Sequence, residues 1–111
     1  MRSVRFAAHA LTVAVAPLSS GVAATPRLHV VVIDKMKFGP LPSNVRVGDA
    51  VLWVNHDLFR HSATARDGSF DIDLSAGKSG KMVMRKAGAV SFACKYHPAM
   101  TGVINVAKKS D

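Results

Sequence analysis

Between Leu28 and Ala107 the apolar residues fall in short runs, several of them alternating with polar residues, and no run keeps helical spacing. Phe70, Ile72 and Leu74 alternate with Asp71 and Asp73, which predicts a half-buried strand, and Met82 and Met84 alternate in the same manner with Lys81 and Arg85. Leu28–Ile33, Val45–Val47, Ala50–Asn55, Ala89–Cys94 and Gly102–Ala107 read as further strands. They lie about 8–12 residues apart, with turn formers such as Gly48-Asp49 and Lys86-Ala87-Gly88 between them. Phe38-Gly39-Pro40-Leu41-Pro42 predicts a loop, because its prolines remove donors and fix the backbone. At 111 residues without an internal repeat, the chain has room for one core. The expected fold class is therefore all-β, a single-domain Greek-key β-sandwich.

The first 24 residues stand apart. Arg2 and Arg5 precede an apolar run from Phe6 to Leu18, and the small residues Ser19 to Ala24 follow. That order predicts a secretory signal over 1–24 with cleavage after Ala24, leaving a domain over 25–111. The run is shorter than the roughly 20 apolar residues a membrane-spanning helix needs, and His9, Thr12 and Pro17 interrupt it, so no stable membrane insertion is expected after cleavage. The net charge is +8, and without Arg2 and Arg5 it is still +6. The basic residues are scattered and no recognition motif accompanies them, which argues against nucleic acid as the partner. With 49% apolar and 20% charged residues the composition is that of a folded chain.

The chemistry concentrates around the single cysteine. A lone thiol in an exported chain cannot close an internal disulfide, so something should bury or bind it. Alternation in Val90-Ser91-Phe92-Ala93-Cys94 puts Cys94 on the inward face with Val90 and Phe92, at the end of a strand. Directly after it, Cys94-Lys95-Tyr96-His97-Pro98-Ala99-Met100 offers a thiolate, an imidazole and a thioether at every third position. His61, where a loop re-enters the sheet, is the candidate fourth ligand. Singly, each would pass for core filler or a surface histidine. Together, two His, one Cys and a weak axial Met form the donor set of electron-transfer copper sites, whereas zinc draws on more Cys or on carboxylates. His9 belongs to the signal, His29 begins the first strand with no partner in view, and His56 falls in an exposed turn. No nucleophile–base pair is apparent and no coordination position is left for substrate, so an enzyme is not expected.

Ile33 to Pro40, Val47 to Asp57, His61, and Cys94-x-x-His97-Pro98-x-Met100-x-Gly102 resemble the cupredoxins over nearly the whole segment after residue 24. The two-residue gap between His97 and Met100 is similar to that of the amicyanins; plastocyanins and pseudoazurins have a longer one. Arg60 stands where relatives often have Pro, and Ser62 where they often have Asn or Thr. The resemblance implies a small monomeric blue protein with one type 1 copper ion, shuttling single electrons in the periplasm. A copper-binding carrier or copper-resistance protein of the same compartment is the rival reading. His97 should be the ligand nearest solvent, ringed by Pro98, Ala99 and Phe59. Lys95 and Arg60 beside it, with the positive net charge, imply a transient, acidic redox partner.

Overall fold

The structure, a computed structural model, describes residues 2–16 and 25–109; the expected cleavage point after Ala24 lies outside the described residues. Among the described residues the regular elements are strands: Leu28–Asp34 (β1), Lys37–Phe38 (β2), Val45–Arg46 (β3), Ala50–Asn55 (β4), His61–Ala65 (β5), Asp71–Leu74 (β6), Ser79–Val83 (β7), Gly88–Ala93 (β8) and Thr101–Ala107 (β9). They form one sheet in the order β2-β1-β4-β7 and a second in the order β3-β9-β8-β5-β6. The expected all-β sandwich is what the chain adopts. Among the described residues no helix is long and apolar enough to cross a membrane.

Two pairings are parallel, β1 with β4 and β3 with β9, and the rest are antiparallel. Parallel neighbours need a long connection between them. Here the chain supplies it by leaving the first sheet after β2, adding β3 to the second, and returning as β4. Phe38, expected in a loop, belongs to β2 and pairs with Ile33. The two residues between β1 and β2, Lys35 and Met36, both have positive φ (51° and 60°), the geometry that lets a two-residue hairpin follow the strand twist.

The core lies between the sheets. Trp53 of β4 and Phe92 of β8 meet edge to face at 5.2 Å, and Phe38 closes on Phe92 at 4.9 Å. Such pairs contribute about 0.5–1.5 kcal/mol each beyond the area they bury. Phe92 packs directly on Gly102, where any Cβ would collide with its ring. Gly102 therefore lets β9 lie flush against β8 immediately after the loop 94–100. Strand β5 shows no alternation because four of its five residues are buried, His61, Ser62, Ala63 and Ala65. A strand covered on both faces carries no period-2 signal.

Candidate metal centre

Cys94 sits just past the end of β8, 1% exposed, on the same inward face as Val90 and Phe92. The loop after it is closed by its own backbone: the Cys94 amide donates to the Met100 carbonyl at 3.0 Å, and the Met100 amide to the His97 carbonyl at 2.8 Å. These two bonds turn His97 back over the thiol and leave Met100 buried at the far end. From the other side His61, the first residue of β5 and fully buried, points its ring at the same place.

The donor atoms converge. His61 Nδ1 lies 3.2 Å from His97 Nδ1, and Cys94 Sγ lies 3.8 Å from the first and 3.7 Å from the second. One donor atom from each of the three falls within 4.8 Å of the others. Ligand atoms bound at about 2.0–2.3 Å to one metal ion stand roughly 3.3–3.8 Å from each other, so the triangle already has the size of a coordination shell. Of the four residues expected from the sequence, His61, Cys94 and His97 are brought together as side chains, and Met100 is held against them through the main chain.

Neighbouring residues fix this geometry. The Ser62 amide donates to Cys94 Sγ at 3.3 Å, and the Ser62 hydroxyl accepts from the Lys95 amide at 2.8 Å. Ser62 thus links the two segments, with its backbone as the donor and its hydroxyl as an acceptor. Hydrogen bonds to a ligating sulfur are one of the means by which a protein sets the potential of a copper–thiolate site. The hydroxyl also meets Thr64 Oγ1 at 2.9 Å, and Thr64 donates to Asp71.

The residue that sequence reasoning missed is Asp57. Its Oδ2 accepts from His61 Nε2 at 2.7 Å and from the Met36 amide at 2.9 Å, while Oδ1 accepts from the Lys35 amide at 2.7 Å. The Met36 amide above all, then His61 and the Lys35 amide, outweigh burial and hold the Asp57 carboxyl below its ordinary range. An ionised carboxylate only accepts, so Nε2 carries the proton and Nδ1 turns its lone pair to the thiol. The same carboxylate stabilises the left-handed turn of Lys35 and Met36, a conformation that costs L-residues about 1–2 kcal/mol each. Asn55 steadies the turn that presents Asp57: its side chain accepts from the Asp57 amide and donates to the Phe59 and Leu74 carbonyls. The four-residue spacing from Asp57 to His61 is the only local trace of this pairing.

Two further expectations change. His29 does have a partner: its Nε2 meets Asp49 Oδ2 at 2.9 Å, at the end of β1 remote from the thiol. Lys95 and Arg60 are not free cations, because Lys95 pairs with Asp71 at 3.1 Å and Arg60 with Asp73 at 3.4 Å.

No family model matches the chain. Among curated proteins it is 28% identical over 83 residues to amicyanin of Paracoccus versutus, covering 69% of this chain; it spans 63% of that protein's length. Among solved structures it matches a reduced Cu(I) form of an amicyanin mutant at pH 4 with a TM-score of 0.60 and 27% identity over 71% of this chain and 81% of that one. The crystal structure of Paracoccus versutus amicyanin matches with a TM-score of 0.60 and 26% identity, over 78% and 85% of the two chains. In sequence and in fold the chain is similar to the amicyanins. The cluster of His61, Cys94 and His97 has the donor set of a type 1 copper site. The donor chemistry agrees, since thiolate selects copper(I) and imidazole serves both of its common oxidation states.

Proposed function

We propose that this cupredoxin carries single electrons between redox partners in the periplasm, with copper held by His61, Cys94, His97 and Met100. The observation that carries the reading is the enclosure of the donors. His61 is fully buried, Cys94 is 1% and Met100 6% exposed, and only His97 is half-buried at the surface. Copper, when bound, supplies a one-electron Cu(II)/Cu(I) couple. The residues supply a rigid set of donors, anchored by Asp57, Ser62 and the closed loop, that need not move when charge changes. With four protein ligands no position remains for a substrate, so the protein acts as a carrier and not as an enzyme.

His97 is the exit for the electron. Pro98 and Ala99, next to it in the chain, are exposed, as are Leu58 and Phe59 in the loop before His61, apolar surface suited to a brief contact of small area. The partner is acidic, because the domain after residue 24 is +6. Arg60 and Lys95 contribute less to that attraction than their position suggests, since Asp73 and Asp71 neutralise them; Lys35 and Lys37 make no ion pair among the described residues. Export through the 1–24 signal delivers the protein as a monomer to a compartment that tolerates its single thiol.

The test is electron exchange set against metal retention. Copper-loaded protein should be oxidised by hexacyanoferrate(III) and re-reduced over many cycles while keeping its metal in the presence of a chelator. Copper handed to the chelator within a few turnovers would favour a copper carrier or resistance protein instead.

A further inference from the structure

The β6 strand puts two carboxylates, Asp71 and Asp73, on the face that supports the metal-binding loop. In the β5–β6 ladder Ser62 pairs with Asp73, and cross-strand partners share a face. Ser62 already holds Cys94 and Lys95. Asp73 lies one step further along. Its Oδ1 accepts from the Tyr96 hydroxyl at 2.7 Å, and its Oδ2 accepts from Arg60 Nη1 at 3.4 Å. Tyr96 immediately precedes His97, and Arg60 immediately precedes His61. The Tyr96 ring is further flanked by the Arg60 guanidinium at 6.0 Å and the Lys95 ammonium at 5.9 Å from its centroid, within the range of cation–π attraction. Arg60 is held in turn by Ser75 Oγ at 3.3 Å. A single carboxylate thus ties together the residues next to both imidazole ligands, which lie 36 residues apart in the chain.

We propose that Asp73 is a positioning residue for the metal centre, acting through Tyr96 and Arg60 to fix the spacing of His97 and His61. The proposal rests on the reading of His61 and His97 as copper ligands. These contacts lie at the surface, so each is individually modest, and their effect is local: they restrain the 94–100 loop and not the sandwich beneath it. Asp73 gives the exposed Tyr96 and the exposed Arg60 a common partner outside the loop.

The experiment is amide hydrogen exchange by NMR on the full chain, with and without copper, for Tyr96→Phe, Asp73→Ala and the double variant. Tyr96→Phe keeps the ring and removes only the hydroxyl, so folding is preserved. Exchange at Lys95 and Met100, whose amides are held by Ser62 and His97, should rise about 3- to 10-fold in each single variant, with Val31 and Trp53 in the other sheet unchanged. The double variant should exceed the larger single change by less than twofold, because Asp73→Ala already removes the contact that Tyr96→Phe removes. Exchange at Lys95 and Met100 unchanged in either single variant, effects that multiply in the double, or an equal rise at Val31 and Trp53 would each overturn the proposal. The copper-free arm reads the tether even if the metal assignment fails, so the two ideas fail separately.

Discussion

Replacing Asp57 by Ala removes three hydrogen bonds at once: those of His61 Nε2, the Met36 amide and the Lys35 amide. The turn amides are near solvent and can recover water, so each should cost about 0.5–1 kcal/mol. His61 cannot recover so easily, because its side chain is fully buried and its Nε2–H would be left without a partner, at about 1–2 kcal/mol. The strain of two left-handed residues adds no new cost, but nothing offsets it any longer. The total is about 3 kcal/mol, and Asp57→Asn, which keeps one acceptor oxygen, should lose about half of that. Urea unfolding of the copper-free protein, compared with Ala and Asn at position 57, measures both. A loss below 1 kcal/mol for Asp57→Ala would refute the claim that this carboxylate organises both the turn and the His61 ring. In the copper-loaded protein the same variants should bind copper about 10- to 100-fold more weakly, the usual effect of removing the outer partner of a ligating histidine.

Met100→Gln should keep copper bound but lower the reduction potential, because a harder oxygen donor favours Cu(II) over Cu(I); an unchanged potential in voltammetry would reduce Met100 to packing. Burial tends to raise the Asp49 carboxyl, but the Arg27 amide, His29 and the Arg46 amide together hold it below the ordinary carboxylate range. The folded form therefore gains stability that is fully present well above the unfolded carboxyl's pKa and is lost as pH falls through the lowered one. Asp49→Asn should accordingly flatten the acid limb of the urea midpoint below about pH 4, and an unchanged limb would contradict that linkage. Trp53 is fully buried and its Nε1 has no hydrogen-bond partner among the described residues, so its fluorescence should be strongly blue-shifted relative to a solvated indole; an emission maximum like that of free tryptophan would show the core to be wet.

The parts of the molecule legible in the sequence are those governed by neighbours in the chain. Val90, Phe92 and Cys94 share an inward face because alternation dictates it, and the closed 94–100 loop brings His97 to Cys94 because both lie within one turn of chain. The acidic alternation of Asp71 and Asp73 marked a strand, though not that its carboxylates would hold Lys95, Tyr96 and Arg60. What was hidden depends on contacts across the sheets. Asp57 meets the Lys35–Met36 amides 22 and 21 residues away, and His29 meets Asp49 at a separation of 20. Neither pairing leaves a local pattern. The parallel alignment of β1 with β4 follows from the chain's detour through the second sheet, which hydropathy does not encode. His61 was found through its place in the ligand set, since its buried strand offers no period of its own.

The central claim is that His61, Cys94, His97 and Met100 make a type 1 copper site, and it is tested most directly by titrating Cu(II) into the purified copper-free protein and recording the visible spectrum. An intense blue colour that saturates at one equivalent, and that Cys94→Ser abolishes because the thiolate supplies the charge-transfer band, is the predicted result. A protein that stays colourless, or a Cys94→Ser variant that turns equally blue, would contradict it.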